Sequence, residues 1–367
     1  MVTPPVSVSV TPPSLSFSYQ LTGSAPAPQV LNVSSTGGAA NFTVGTTSTG
    51  GWLGVDATSG TTPTNGLPKA INVSIDPTKI PAGTVAGSAL QGSITVNVTL
   101  TVTAAPVPQP TLILNSASIS AAAVAPGELI TIKGTNLGPA SPANGTVFKL
   151  NAQGTVDSTL AGVQVLFNNT PGIPTFVSAT QINVIVPWEV ASFSSVSMVV
   201  TFNGGQSAAF PLNVSSVSPA IYTQNATGNG QAAAVNLSPA ALSAYNGPAG
   251  STYPGTSIPL APAPQNSFVS FFLAGCGPTN PTSVTGAINP SNQLLPLRGW
   301  SEGSSFVTAT IGGQPAHVQF AGAAPTLVSG VCQVNLQVPT GVSGNTLPVT
   351  IIINGAVTLG SATIAVQ

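Results

Sequence analysis

Two short stretches of this chain are nearly identical, and they constrain its fold more than any other feature. One reads Gln181-Ile-Asn-Val-Ile-Val-Pro187 and the other reads Gln333-Val-Asn-Leu-Gln-Val-Pro339. In both, apolar side chains recur at every second position, which is the pattern of a half-buried β-strand. Both end on a proline, which has no N–H to donate to a sheet and therefore ends the strand. The pair predicts two copies of one β domain.

Other landmarks repeat in the same order around these strands. Three further pairs of segments match: Leu129–Pro139 with Phe268–Pro278, Phe167–Pro171 with Ile311–Pro315, and Val200–Gly204 with Ile351–Gly355. The last pair ends in Asn-Gly, which favours a two-residue hairpin turn. The second copy is longer, with an insertion around residues 322–330 and a loop-rich segment at residues 238–265. That segment is too long for an ordinary turn, so we expect a surface excursion or a contact arm.

The first hundred residues differ from the two copies but also read as short strands between Gly, Ser, Thr and Pro turns. Val6–Val10 and Leu15–Tyr19 alternate apolar and polar side chains, and a proline-rich connector follows at Ala104–Pro110. We therefore predict an all-β chain of three tandem immunoglobulin-like antiparallel β-sandwich domains. The predicted domains are residues 1–104, 112–215 and 216–367, with a linker at 105–111 and the long loop insertion at 238–265.

Charged residues make up only 3% of the chain, against about a quarter in a typical soluble domain. Five Lys and Arg residues cannot neutralise a run of phosphates, so we predict no nucleic-acid partner and no anionic membrane surface. No apolar run is long enough for membrane insertion. A net charge of −1 favours association with copies of the same chain, or a surface kept soluble by glycans. The alternative is a secreted protein that tolerates low charge.

The composition predicts an extracellular or cell-surface location. Met1 is not followed by the basic segment and apolar core of a signal peptide, so we expect the numbering to begin at a processed or trimmed start. Cys276 and Cys332 both fall at strand ends of the third predicted domain, and we predict a disulfide between them. Closing that loop stabilises a domain by about 4 kcal/mol on the chain-entropy model and fits an oxidising compartment. Two buried thiols are the alternative.

Residues that carry catalysis are few and scattered. His317, the only histidine, lies in a predicted strand, and an outward-facing strand residue is a better interpretation than a general base. Glu128 and Glu189 lie at strand ends, where a turn carboxylate is normal. None of the six acids has the spacing of a glycosidase pair or a calcium loop: Asp56, Asp76, Glu128, Asp157, Glu189 and Glu302. We therefore predict no enzyme activity, no cofactor and no metal site.

Ordered landmarks in the first unit carry a family resemblance. They are Leu15-Ser-Phe17, Gly51-Trp-Leu-Gly-Val55, Ser59-Gly60, Ile71–Ile75 and the strand Gly92–Val102. Together they resemble the BACON domain, an immunoglobulin-like module proposed to bind carbohydrate. The resemblance covers residues 1–104, and it implies that the motif around Trp52 is largely structural.

A second set of motifs extends over both repeated domains. It comprises Asn115–Ser118, Ala125–Pro139, Gly162–Val165, Ser178–Glu189, Pro219–Tyr222, Gly230–Ala234, Ala321–Pro325 and Gly330–Pro339. Residues 112–366 thereby resemble an uncharacterised C-terminal domain family of secreted proteins from Solibacter and other Acidobacteria, with each half similar to the plexin and transcription-factor (IPT/TIG) type of sandwich. The resemblance implies export and attachment to larger surface structures, and it carries no established activity.

Three sets of residues are candidates for surface function. Aromatic rings stack on sugars, so the candidate glycan contacts are Trp52, Trp188 and Trp300, with local packing as the alternative for each. Asn-x-Ser/Thr sequences make nine asparagines candidate glycosylation sites: Asn32, Asn41, Asn72, Asn97, Asn144, Asn168, Asn213, Asn225 and Asn236. The candidate segment for addition to a neighbour's sheet contains Thr3, Val6, Val8 and Val10.

These observations predict a non-catalytic extracellular structural protein. Low charge, tandem β domains and scattered titratable residues favour a cell-surface or filament-forming subunit that self-associates into a homo-oligomer or filament. The alternative is a carbohydrate-binding or adhesion module of a secreted protein, with polysaccharide as the partner. The BACON resemblance and the three tryptophans favour that alternative.

Overall fold

The computed structural model describes residues 5–21, 23–80, 86–91, 94–140, 142, 145–237 and 244–367. The prediction of an all-β fold is confirmed: these residues form strands and two short 3-10 helices, Pro77–Lys79 and Trp188–Ser192. Among them, no helix has the length and apolar character needed to span a bilayer. The chain divides into two compact units, residues 1–106 (unit 1) and residues 107–367 (unit 2). The exact domain bounds given above stay predictions.

Unit 1 is a sandwich of two four-stranded sheets with orders β1-β3-β8-β6 and β2-β10-β9-β5, plus a β4–β7 ribbon. Alternation in the sequence decides which side chains are buried: Leu15, Phe17 and Tyr19 of β2 all point into the core. The strands are β1 (Ser7–Thr11), β2 (Ser14–Gln20), β3 (Gln29–Thr36), β4 (Asn41–Thr43), β5 (Gly45–Thr46), β6 (Leu53–Val55), β7 (Ser59–Thr61), β8 (Lys69–Ile75), β9 (Ala86–Gln91) and β10 (Asn97–Thr103).

Unit 2 contains two sandwiches, each with its own core. The second sandwich of the chain pairs the sheet β11-β12-β17-β16-β13 with the sheet β15-β14-β18-β19, in which β20 also pairs with β18. Its strands are β11 (Gln109–Asn115), β12 (Leu129–Thr135), β13 (Thr146–Val147), β14 (Val163–Phe167), β15 (Thr170–Pro171), β16 (Ile173–Val177), β17 (Gln181–Ile185), β18 (Ser195–Phe202), β19 (Gly205–Gln206) and β20 (Phe210–Asn213).

The third sandwich pairs the sheet β21-β24-β28-β27 with the sheet β22-β31-β29-β25-β26, and β23 and β30 add to β24 and β29. Its strands are β21 (Ala220–Ile221), β22 (Asn229–Gln231), β23 (Ala234–Asn236), β24 (Phe268–Ala274), β25 (Val307–Ile311), β26 (Gln314–Ala316), β27 (Val318–Ala323), β28 (Cys332–Gln337), β29 (Gly344–Ile353), β30 (Ala356–Val357) and β31 (Ser361–Val366).

The two repeated stretches occupy equivalent places in their sandwiches. Strand β17 lies between β12 and β16, and β28 lies between β24 and β27. Their outward residues also make equivalent hydrogen bonds. Asn183 Oδ1 accepts from Gln181 Nε2 at 2.8 Å and from a hydroxyl on β12, and Asn335 Oδ1 accepts from Gln333 Nε2 at 2.8 Å and from a hydroxyl on β24. The repeated Gln-x-Asn sequence thus ties each central strand to its neighbour.

The sequence left a surface excursion or a contact arm open for residues 238–265, and the described part of this segment is anchored in the third sandwich at both of its ends. Residues 238–243 lie outside the described residues, but Asn246 is fully buried in the third sandwich. Its Nδ2 donates to Ala365 O at 2.9 Å and its Oδ1 accepts from Ala365 N at 2.9 Å, which binds the segment to β31. Leu260 and Ala263 are buried beside it. The buried Asn246 amide and the backbone bond from Ala263 N to Ala365 O, 2.9 Å long, thus both attach the described part of the insertion to β31.

The second and third sandwiches meet in a closely packed junction. Trp188 lies over Gly127, and its indole Nε1 donates to Ser329 Oγ across the junction at 2.9 Å. Asn115 Nδ2 donates to Ser218 O at 2.9 Å. The space left around Trp188 is about 10 Å³, roughly the minimum that a single water needs. Hydrogen bonds and tight packing together make unit 2 one compact body.

The packing at the junction predicts that Gly127 is needed because it has no side chain, as well as for its backbone conformation. Gly127 and Gly154 have the same φ of 73°, but a Cβ at Gly127 would lie 2.1 Å from the Trp188 ring, whereas one at Gly154 meets nothing within 4 Å. Both alanine variants carry the left-handed strain of about 1 kcal/mol. We expect Gly127→Ala to lower the free energy of unfolding by about 1–3 kcal/mol more than Gly154→Ala, because the Trp188 ring must move. Thermal or urea unfolding measures this difference, and equal losses would contradict the packing described.

Candidate functional site

The β4–β7 ribbon of unit 1 places an aromatic ring beside a glycine. Phe42 lies directly opposite Gly60 in the antiparallel ladder. A Cβ at Gly60 would lie 2.7 Å from Phe42 Cζ, so the ring occupies space that any larger residue would need. Phe42 is half-buried and packs against the unit 1 core, which fixes the ring in position.

This ribbon borders an open groove of about 580 Å³, which we call the Phe42 groove. Its size falls within the range of about 300–1,000 Å³ that is usual for ligand sites. The lining combines apolar and neutral polar side chains, and none of them is charged: Val8, Asn41, Phe42, Thr43, Ser59, Gly60 and Thr61. The groove therefore offers aromatic and aliphatic surface together with amide and hydroxyl groups.

Hydrogen bonds orient the polar groups of the groove. Thr61 Oγ1 donates to Asn41 Oδ1 at 2.7 Å. Within the described part of the chain, the other end of that amide, Nδ2, has no hydrogen-bond partner and remains available as a donor. At the base of the ribbon, buried Thr62 contacts Ser35 Oγ of β3 at 2.5 Å and accepts from Ala40 N at 2.8 Å. These contacts fix the ribbon to the main sheet.

The three tryptophans predicted as glycan contacts are used for packing. Trp52 is 0% exposed in the unit 1 core, so that prediction is wrong for Trp52: no ligand reaches the ring. Trp188 lies in the junction over Gly127. Trp300 packs against the core of the third sandwich and meets Phe320 edge to face, with ring centroids 5.8 Å apart. Trp188 and Trp300 are half-buried rather than fully covered, so glycan contact at these two rings stays a prediction. Phe42, which was not among the residues predicted from the sequence, is half-buried as well and lines an open groove.

The predicted glycosylation sites differ in accessibility. Asn236 is buried, and its Nδ2 donates to Ala261 O at 2.9 Å, so its prediction is wrong because the acceptor nitrogen is inaccessible. Asn144 lies outside the described residues, and Asn32 is half-buried. The remaining candidates are exposed: Asn41, Asn72, Asn97, Asn168, Asn213 and Asn225. Glycosylation at these positions stays a prediction.

The N-terminal segment pairs within its own sandwich. Strand β1 is antiparallel to β3, from Ser7 opposite Thr36 to Thr11 opposite Asn32. Val8 and Val10 pack against the unit 1 core, so these side chains are used within the same sandwich, while addition of this segment to a neighbour's sheet stays a prediction. Val6 is exposed, and Thr3 lies outside the described residues. Among the described strands, β3 is the only partner of β1, which makes β1 an edge strand.

The remaining candidate residues belong to unit 2 and do not line the Phe42 groove. Cys276 and Cys332 form a disulfide in the third sandwich. His317 Nε2 contacts Glu302 Oε1 at 2.9 Å, and both side chains are exposed. The described residues contain no group of three or more His, Cys, Asp or Glu that could hold a metal ion.

Glu128 is not the ordinary turn carboxylate that the sequence suggested. It is 1% exposed at the junction, where Oε2 accepts from Ala125 N at 2.6 Å. Burial raises the pKa of Glu128 to about 8, against the opposing effect of hydrogen bonds from Ala125 and Asn115. Burial also raises the pKa of Tyr222 to about 12, and the nearby Glu128 charge adds to that effect. Glu128 is therefore protonated at neutral pH.

Comparison with known proteins identifies part of unit 2. Residues 112–223 match the IPT/TIG domain family, so this segment is a TIG-type immunoglobulin-like domain. The comparison with curated proteins found no match.

Solved structures resemble the chain only distantly. A Bacteroides ovatus mixed-linkage glucan utilization locus protein, SGBP-B, in complex with a mixed-linkage heptasaccharide is 15% identical over 98% of this chain and 70% of its own, with a TM-score of 0.27. Gamma-CGTase from alkalophilic Bacillus clarkii is 10% identical over 93% and 37%, with a TM-score of 0.21. The tandem Ig repeats of Dlar are 11% identical over 57% and 97%, with a TM-score of 0.16. All three scores are low, and nothing about function follows from them.

The buried carboxyl predicts a pH-dependent stability. Because the folded pKa of about 8 lies above the ordinary value of 4.5, the folded chain keeps a proton that the unfolded chain loses. The stabilisation is complete below about pH 4.5 and is lost as the pH rises to about 8. The Glu128→Gln variant has no ionisable group at this position. As the pH rises across this range, we therefore expect its free energy of unfolding to increase relative to that of wild type, by roughly 4 kcal/mol at most. Urea unfolding at several pH values measures it. The control is exposed Glu302→Gln, and a wild-type pH slope retained in Glu128→Gln would refute the assignment.

Proposed function

We propose that this chain is a non-catalytic module of the cell exterior that binds neutral polysaccharide in the Phe42 groove. One observation carries the proposal: the groove places a half-buried aromatic ring beside an unpaired amide donor and several hydroxyls, with no charged side chain. Sugar rings have C–H faces that pack on aromatic rings and hydroxyls that exchange hydrogen bonds with amides and hydroxyls. An uncharged lining favours uncharged sugars, since an ionised group would lose hydration without gaining a partner.

Other features of the chain support the remaining parts of this proposal. The disulfide between Cys276 and Cys332 fits an oxidising, extracellular compartment. The non-catalytic assignment is supported by where the titratable groups lie, since the His317–Glu302 pair is exposed and Glu128 is buried in the junction. The resemblance of residues 1–104 to BACON domains agrees with a carbohydrate ligand. That resemblance, and the one to the acidobacterial secreted family, remain proposals.

Replacing the ring tests the polysaccharide site. We expect Phe42→Ala to weaken binding of a neutral polysaccharide at least tenfold, about 1.4 kcal/mol, because the stacking surface is lost. Isothermal titration with soluble neutral glucans, mannans and galactans measures the change. Phe193→Ala is the matched control, since Phe193 is 46% exposed in the second sandwich and lies outside the groove.

A second groove variant separates binding from folding. Asn41→Ala leaves the ring in place and removes the free amide donor together with the acceptor of Thr61 Oγ1. We expect several-fold weaker binding at a melting temperature close to that of wild type, because the lost hydrogen bond is exposed. The protein is produced without glycosylation machinery, so that Asn41 stays unmodified. Equal binding by wild type, Phe42→Ala and Asn41→Ala, or binding to none of the polysaccharides, would rule out the site.

Self-association into a homo-oligomer or filament is a second candidate function. It is favoured by large apolar side chains that are exposed on a surface with little charge, such as Val147, Val284 and Leu294. Strand β1 pairs only with β3 among the described strands, so addition of its open edge to a second copy is one route to such an assembly.

Self-association, the second candidate function, predicts an average molecular mass that rises with protein concentration. We expect sedimentation velocity of the full wild-type chain to show dimers or larger species that increase with concentration. Added salt should leave the apolar contribution to this association intact and weaken only the contribution of charged residues at the contact. A single monomer peak across the whole concentration series would exclude self-association.

A further inference from the structure

An exposed apolar surface lies at the outer edge of the junction in unit 2. Val147, Leu150 and Val284 are 63%, 52% and 69% exposed, and we call these three residues the junction patch. Two segments carry them, and a hydrogen bond joins the segments: Leu150 bridges to Val156, whose N donates to Gly286 O at 2.9 Å. The patch therefore draws on both the second and the third sandwich.

The junction patch continues an interface that is already packed. Val156, which pairs with Leu150, is buried in a cluster with Ile173 and Ile185. Phe148, next to the exposed Val147, and Val328 of the third sandwich pack against this cluster. Isolated exposed apolar residues are ordinary, but a surface continuous with a buried interface marks a contact site.

Two opposite charges lie beside Val147, one of the three residues of the patch. Lys149 and Asp157 line the same groove as Val147, which has a volume of about 210 Å³. The whole chain has only five basic and six acidic residues, and one of each lies in this groove. In the described part of the chain Lys149 forms no ion pair, and the contact of Asp157 is a hydrogen bond from Asn151 Nδ2 at 2.8 Å. Glu189, at the same edge, accepts from Thr285 Oγ1 at 3.0 Å.

The opposite charges of Lys149 and Asp157 favour a partner surface that also carries both signs. A surface with one sign of charge would meet a like charge at either Lys149 or Asp157, whereas a second copy of this chain presents both signs. About a two-fold axis, each residue pair in the contact occurs twice, so Lys149 faces the partner's Asp157 and Asp157 faces the partner's Lys149. The apolar residues then lie at the centre and the ion pairs at the rim.

We propose that a second copy of this chain docks on the junction patch about a two-fold axis. The inference rests on the second candidate function, self-association, and names its surface. It is independent of the polysaccharide site, since the Phe42 groove belongs to unit 1.

Charge reversal in the full chain tests the two-fold contact. Lys149→Asp places two acidic groups against each other across the axis, and Asp157→Lys places two basic groups together. We expect each single variant to raise the dimer dissociation constant at least tenfold in sedimentation equilibrium. The double variant, which has the net charge of wild type, should restore the wild-type constant to within a few-fold.

An apolar variant checks the centre of the patch without changing charge. We expect Val284→Ser to weaken the dimer at least tenfold, while Val357→Ser, at a similarly exposed valine in the β30 hairpin, leaves it unchanged. Melting temperatures confirm that each variant is folded.

The outcomes separate this inference from the function on which it rests. A wild-type chain that stays monomeric overturns both. Self-association that persists at wild-type strength in Lys149→Asp, Asp157→Lys and Val284→Ser overturns the patch alone. Single reversals that weaken the dimer without rescue by the double variant overturn the two-fold pairing.

Discussion

Neutral amide and hydroxyl groups make most of the polar contacts on which this structure depends. The described residues contain two ion pairs, Lys79–Asp76 and His317–Glu302, and both are exposed. Exposed pairs contribute little to stability. The buried polar contacts are instead made by side chains such as Asn246, which binds the insertion to β31 through both ends of its amide. Because neutral groups make these hydrogen bonds, the bonds do not depend on pH or salt. The fold therefore uses few charged side chains, and its surface is almost without charge.

Several of the chain's few charged residues lie where the second and third sandwiches meet. Glu128 is buried where the second and third sandwiches meet, and Lys149 and Asp157 flank the exposed edge of the same junction. One junction thus contains both the buried carboxyl whose raised pKa makes stability depend on pH and the surface proposed for a second copy. The Phe42 groove, in contrast, has no charge at all, which is why a neutral polysaccharide suits it.

Much of the architecture followed from local patterns. The alternation in Gln181–Pro187 and Gln333–Pro339 predicted the central strands β17 and β28. Asn203-Gly204 and Asn354-Gly355 form the hairpin turns expected of them, with positive φ at both residues of each turn. The candidate site was not predicted. Phe42 is one of thirteen phenylalanines, and a single aromatic in a short strand carries no signal that a groove adjoins it.

The sequence by itself determined the strands, their turns and the repetition of one domain, because alternation and turn chemistry act over a few neighbouring residues. Only the tertiary structure decided which side chains are covered. Trp188 and Ser329 are 141 residues apart, and their contact helps to pack the half-buried Trp188 ring into the junction. Burial of Trp52, Glu128 and Asn236 likewise depends on distant segments that pack against them. Local patterns carry no information on such contacts, so the junction and the groove became visible only in the folded chain.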